Sequence, residues 1–228
     1  MHFQEELQNV ERLAMEGLDM VVGQVERAME ATVQHDVELA RFVIADDDRI
    51  DGRYLELHQS VLSLLALQAP VATDLRLIAA LLHTVKHFER MGDQCVTIAK
   101  LVPVSGTDPP VIDEIVERIA RMGRQAVSQV RQAKVAFELR DAELAEDLVR
   151  QDDEIDRLNR ECFRIALEGG DDRDAREWAM TMLLVARAIE RIGDNAVDIG
   201  EQVAFVVTGL FREFEDASHP GGAPMPSA

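Results

Sequence analysis

The sequence predicts an all-α protein built as two tandem three-helix bundle repeats, with six long helices in all. Three observations carry that reading. Phe88 to Lys100 reads FERMGDQCVTIAK and Ile189 to Glu201 reads IERIGDNAVDIGE, near copies at an offset of 101 residues. A second pair, Asp47-Asp48-Arg49-Ile50-Asp51 and Asp152-Asp153-Glu154-Ile155-Asp156, repeats at an offset of 105. The four-residue difference places a differently built turn between the second and third helices of each unit. Apolar residues also recur with helical spacing almost throughout, glycine and proline mark the ends of those stretches, and no strand-like alternation competes.

Taken in order, the first helix is expected over about 3–32 and the second over 36–68, where Leu39, Val43, Ile50 and Leu57 form an apolar stripe. Gln68-Ala69-Pro70 breaks the pattern, and Pro70 stands where a third helix, 71–102, can begin without needing an N–H. Pro103 to Pro110, PVSGTDPP, reads as a linker between the halves. Helices four and five follow over 111–138 and 141–168. Gly169-Gly170-Asp171-Asp172 then breaks the second half as Gln68 to Pro70 broke the first, and the sixth helix is expected over 174–212. The expected units are therefore 1–104 and 105–212, followed by a tail, 213–228, whose HPGGAPMPSA ending has the composition of a disordered end.

A formal charge of −19 argues against electrostatic binding to nucleic acid or to an anionic membrane. Basic proteins, cations and metal-linked anions remain as partners. Cys95 and Cys162, on helical stretches and far apart, read as small core residues in a reducing compartment. No apolar h-region follows Met1, and no apolar run reaches the roughly 18 residues that a spanning helix needs. A soluble, cytoplasmic protein is the expectation.

Each unit holds two acidic pairs at i, i+4: Asp47/Asp51 and Glu89/Asp93, then Asp152/Asp156 and Glu190/Asp194. That spacing puts both carboxylates of a pair on one helix face. In the third helix Glu89 and Asp93 extend the stripe of Ile78, Leu82, Val85 and Val96; in the sixth, Glu190 and Asp194 extend that of Ala179, Leu183, Ala186 and Val197. From a turn near Ala69 the Asp47/Asp51 midpoint lies 20 residues back and the Glu89/Asp93 midpoint 22 forward, so antiparallel helices bring the two pairs to one height. The second unit agrees to about one turn.

Four carboxylates beside an apolar seam are costly unless a cation or protons neutralise them. Oxygen ligands suit magnesium, manganese or iron; zinc is allowed but nothing specifies it. Gly92 and Gly193, mid-helix beside the acids, each cost roughly 1 kcal/mol relative to alanine, which implies close approach of another helix or of a ligand. The competing reading pairs the acids with Arg49, Arg90, Arg157 and Arg191 as an ordinary solvated surface. Asp198 and Glu201 continue the acidic face in the second unit, where the first has Thr97 and Lys100. His83 and His87 fall opposite Glu89 and Asp93 and read as surface histidines. No Ser–His–acid set, phosphate loop or H-E-x-x-H is present.

The stretch LALQAPVATDLRLIAALLHTVKHFERMGDQCVTIAK, together with IERIGDNAVDIGE, resembles the PhoU family of phosphate-specific transport accessory proteins over about residues 5–210. The Q-x-P-V-A-x-D-L-R signature stands at Gln68 to Arg76. The resemblance implies two three-helix repeats carrying multinuclear metal clusters on the bundle surface, with Asp47, Asp51, Glu89 and Asp93, then Asp152, Asp156, Glu190 and Asp194 as ligands; Asp198, which continues the acidic face of the second unit, is a further metal candidate read from the residues themselves. The resemblance also implies a non-enzymatic, cytoplasmic repressor of phosphate uptake and of the phosphate-starvation response. Such a repressor is recruited to the inner face of the membrane by a phosphate ABC transporter ATPase and a sensor histidine kinase. A homodimer is among the assemblies left open. Two alternatives stand beside it: a di-metal carboxylate oxidase or ferritin-like protein, whose Glu-x-x-His motifs are absent here, and a metal-free helical adaptor.

Overall fold

A computed structural model describes residues 2–68, 70, 72–168 and 172–214. Its six helices are α1 (His2–Val33), α2 (Val37–Gln68), α3 (Ala72–Leu101), α4 (Asp113–Leu139), α5 (Ala142–Glu168) and α6 (Arg173–Thr208), with a 3₁₀ turn at Pro103–Ser105 after α3. No strand occurs among the described residues, and no helix there is long and apolar enough to cross a membrane.

Both units close their first hairpin with the same device at the same offset. His35 and Arg140 adopt the left-handed conformation, with φ of 51° and 55°. The next residue is an aspartate whose side chain caps the following helix: Asp36 Oδ1 accepts the Leu39 N–H at 2.9 Å, and Asp141 Oδ1 accepts the Glu143 and Leu144 N–H groups at 3.0 Å. These caps satisfy N–H groups that the first helical turn cannot bond internally. Asp172 caps α6 in the same manner, accepting the Asp174 N–H at 3.0 Å.

The sixth helix stops at Thr208, four residues short of the expected 212, because Gly209 takes φ +75° and returns its N–H to the Phe205 carbonyl at 2.9 Å. The chain then doubles back. Phe211 meets the Phe205 ring edge-on at 6.0 Å, and the Phe214 N–H donates to Glu201 Oε1 at 2.7 Å. Of the expected disordered tail, only Glu213 and Phe214 fall within the described residues; 215–228 lie outside them.

Helices α1, α3, α4 and α6 form the centre, with α1 against α4 and α3 against α6 joining the units, while α2 packs on α1 and α3, and α5 on α4 and α6. One continuous apolar core runs through both units, with Phe88, Leu18 and Ile78 from the first and Phe137, Met122 and Leu148 from the second fully buried. Truncating such a residue, Phe88→Ala for instance, costs about 3–5 kcal/mol. Cys95 and Cys162 are free thiols in this core, as their positions implied, and burial raises both, Cys162 to about 11. They are packing groups rather than nucleophiles.

Candidate functional site

The acid-bearing faces of α2 and α3 meet in the first unit, and those of α5 and α6 in the second. At the centre of each is a buried glutamine. Gln24 of α1 and Gln129 of α4, both fully buried, are 105 residues apart, the offset that separates Asp47 from Asp152. Gln24 Nε2 donates to Asp47 Oδ1 at 3.0 Å and toward the Val43 carbonyl at 3.5 Å. Gln129 Nε2 donates to Asp152 Oδ1 at 3.2 Å and toward the Leu148 carbonyl at 3.5 Å. The glutamine thus ties the acid-bearing helix to the central layer and fixes the first carboxylate of each pair. Spacing arguments built on acids alone passed over both residues. The signal was present as Val22-Gly23-Gln24-Val25 and Val127-Ser128-Gln129-Val130 at the shared offset.

The mid-helix glycines complete each station. A β-carbon at Gly92 would stand 2.9 Å from Asp47 Oδ1, 3.2 Å from Ile50 and 3.4 Å from Gln24 Oε1. At Gly193 it would press into Asp152 Oδ1, with Gln129 Oε1 at 3.0 Å and Ile155 at 3.1 Å. Close approach of another helix, with the acid on it, is therefore what these glycines serve. The Oε1 atoms of Gln24 and Gln129 sit over the same glycines, buried and accepting no hydrogen bond among the described residues.

Charge compensation separates the two stations. In the first, burial raises the pKa of Asp47, and the neighbouring Asp51, Asp93 and Asp48 add to the rise against the Gln24 hydrogen bond. Asp93 is raised by burial, then by Glu89 and Asp51. The four acids therefore feel one another's charge. Lys86 answers part of it, its Nζ 2.6 Å from Glu89 Oε2 and 5.1 Å over the Tyr54 ring. The second station is deeper, with Asp152, Asp156 and Glu190 all buried. Arginines reach into it: Arg187 pairs with Glu190, and Arg160 Nη1 lies 3.5 Å from Asp156 Oδ2. Of the arginines suggested as neutralising partners, Arg157 instead binds Glu154 and Glu161, and Arg49 binds Asp46.

Asp198 lies one turn beyond Asp194 and faces His87 of α3, with Nδ1 3.3 Å from Asp198 Oδ2 and 2.9 Å from Asn195 Oδ1. His87 is buried at the seam between the units rather than on the surface, because α3 packs on both faces; His83 is exposed. Burial holds the His87 pKa below the ordinary histidine value, against the pull of Asn195 and Asp198. Glu201 is engaged by the Phe214 N–H.

The donor set fits a hard cation. It offers oxygens only, Asp47 and Asp93 of the first station are raised by burial and by neighbouring carboxylates, and among the described residues no donor meets the buried Gln24 Oε1 and Gln129 Oε1 that point at the same gaps. Among the described residues no three acidic, histidine or cysteine side chains stand close enough together to chelate as placed, so binding requires the more exposed acids, such as Asp51 and Asp93, to swing inward.

The PhoU domain matches this chain twice, over residues 15–102 and 119–203. A phosphate-specific transport system accessory protein PhoU homolog 1 from Mycobacterium leprae (strain TN) is 34% identical over 86% of this chain and 87% of its own length. A PhoU homolog from Clostridium acetobutylicum is 29% identical over 94% and 98%. Among solved structures, PhoU from Pseudomonas aeruginosa superposes with a TM-score of 0.83 at 29% identity, covering 91% of this chain and 100% of that one. The phosphate transport system regulatory protein PhoU from Streptococcus pneumoniae gives 0.86 over 93% and 100% at 24% identity, a likeness of fold.

Proposed function

The chain belongs to the PhoU family, and from that premise we propose that it is a non-enzymatic accessory regulator of phosphate transport. In this reading it represses phosphate uptake and the phosphate-starvation response when phosphate is plentiful, working in the cytoplasm against the ATPase of a phosphate ABC transporter and a sensor histidine kinase. The observation that carries the reading is the duplicated station: a buried glutamine, an acid pinned by it, and a glycine beneath, present once in each of two matched domains. A surface cluster that takes up divalent or trivalent cations alters the charge that each hairpin presents to a partner, which suits a switchable docking protein.

Asp47, Asp51, Glu89 and Asp93 would hold the ion of the first unit, and Asp152, Asp156, Glu190 and Asp194, with Asp198 beside them, that of the second. The cation supplies charge neutralisation and cross-links the two helices of each hairpin. Alkaline phosphatase output in phosphate-rich medium tests the regulator reading. Deleting the gene raises output and supplying this chain restores repression; unchanged repression in the deletion strain removes the proposal.

A further inference from the structure

On a chain of net charge −19, one groove is lined by guanidinium groups. It lies between α5 and α6, has a volume of about 670 Å³, and is bounded by Arg157, Arg160 and Arg164 of α5 and Arg187 of α6 over Phe163 and Leu183. Arg157 shares Glu154 and Glu161 with Arg121 and Arg118 of α4, so five arginines pair with the four carboxylates Glu154, Glu161, Asp156 and Glu190, and Arg164 adds a further guanidinium to the groove wall. Those ion pairs hold three of the groove's guanidiniums in place while leaving Arg157, Arg160 and Arg187 44%, 62% and 54% exposed, with donors free to turn outward.

The duplication shows that this groove is peculiar to the second unit. At the offsets that relate the two units, the first has Gly52, Leu55 and Gln59 where the second has Arg157, Arg160 and Arg164, and Lys86 where it has Arg187. Leu82 and Leu183 are the same residue. The leucine of the floor is shared; Phe163, which stands where the first unit has His58, and the arginines are not. The floor residue Phe163 is 53% exposed, and Leu167, one turn further along α5, is 72% exposed.

We propose that this groove docks an amphipathic helical segment of a partner protein that carries glutamate or aspartate beside leucine or phenylalanine. Two antiparallel helices with an apolar floor offer a third helix a seat, with apolar anchors at i, i+3 and i+4. Carboxylates along its edges meet planar guanidinium forks that bind them bidentately. The volume exceeds what a small inorganic anion fills, and the concave, half-apolar lining sits on a chain whose overall charge repels an anionic membrane. The inference is argued without the phosphate and metal readings, although Arg160 and Arg187 pair with two of the proposed metal ligands, and its test uses neither.

The test titrates the full chain with a fluorescein-labelled 18-residue helical peptide carrying Glu at i, i+4 beside Leu and Phe, read by anisotropy. A Lys-for-Glu version of the peptide and phosphatidylglycerol vesicles serve as competitors. Saturable binding of the acidic peptide alone is expected. Arg164→Glu should weaken it about tenfold or more, Phe163→Ser should weaken it severalfold, and Gln59→Glu at the equivalent place in the first unit should leave it unchanged. Absence of saturable binding, equal binding by Arg164→Glu, or preference for the vesicles overturns the proposal. So does self-association in sedimentation that is abolished by Arg164→Glu, because the occupant is then a second copy of this chain.

Discussion

Replacing Gly193 by alanine sets two calculable effects against each other. Alanine removes the penalty of a mid-helix glycine, a gain of about 1 kcal/mol. The new methyl, however, is driven into Asp152 Oδ1 and against Gln129 Oε1 and Ile155. Asp152 is 3% exposed, on a short side chain held by Gln129 at 3.2 Å, so it cannot swing away without giving up a buried hydrogen bond to a charged group. That loss costs about 1–3 kcal/mol, and the overpacking of the surrounding core costs about another 1–3 kcal/mol. The net expectation is destabilisation of about 2–3 kcal/mol, or roughly 5–10 °C in Tm for a chain of this size. Gly52→Ala is the matched control. It lies mid-helix in α2 with nothing within 4 Å of the added carbon, and it should raise Tm by roughly 2–4 °C. Both are read by thermal circular dichroism in chelator. A Gly193→Ala protein as stable as the parent, with Gly52→Ala behaving as expected, would refute the close-approach explanation of the glycine.

Glu190→Gln with Asp194→Asn is expected to lose metal from the second unit while the fold survives, and Glu89→Gln with Asp93→Asn to do the same in the first. Elemental analysis of protein purified without chelator reads both, and unchanged content in either would show the ligands wrongly placed. Asp47→Asn keeps the acceptor for Gln24 and removes a charge that the folded protein disfavours. A carboxyl whose folded pKa is raised is best tolerated when protonated, and its penalty grows as pH rises through the folded value. In chelator the variant should therefore be more stable than the parent at pH 7, with the advantage vanishing as pH falls toward the ordinary carboxylate value of 3.8. A constant difference across a Tm-versus-pH series would contradict the assignment. Gln129→Ala removes the donor from buried Asp152 and should cost about 1–3 kcal/mol in urea denaturation; a smaller effect would mean that the glutamine does not pin the acid.

The six helices were legible because amphipathic periodicity and Gly/Pro punctuation report local physics, and the acid pairs because a doubled i, i+4 spacing is visible without coordinates. What escaped depended on packing. His87 read as a surface group because a helical wheel grants one buried face, whereas α3 packs on α1 and α2 and also on α6, burying the side opposite the stripe. The end of α6 escaped because Leu210, Phe211 and Phe214 continue an apolar pattern past Gly209, and only the left-handed turn shows that they fold back. Gln24 and Gln129 escaped because an amide in an apolar stripe looks like a solvent-facing residue until its burial is known.

Duplication has preserved the scaffold of the two stations while letting their electrostatics diverge. Arg27 pairs with Asp46 at 2.9 Å in the first unit, and at the same places in the second Gln132 and Gln151 exchange a neutral hydrogen bond at 2.7 Å. Around the acids the divergence runs the other way: one lysine meets the first set, while two arginines meet the deeper second set. A cation entering the first station would relieve repulsion and displace the Lys86–Glu89 pair. A cation entering the second must first release Arg187 from Glu190 and Arg160 from Asp156, and both are groove residues. If both sites are occupied as proposed, a partner that draws those guanidiniums outward would lower the cost of placing a cation among the acids, and a cation there would free the guanidiniums for the partner. Such a coupling would be reciprocal by linkage, with each ligand strengthening the other by the same factor. The first unit, with Gly52, Leu55 and Gln59 in place of the α5 arginines, keeps only the Lys86–Glu89 pair, among the described residues, for such an exchange.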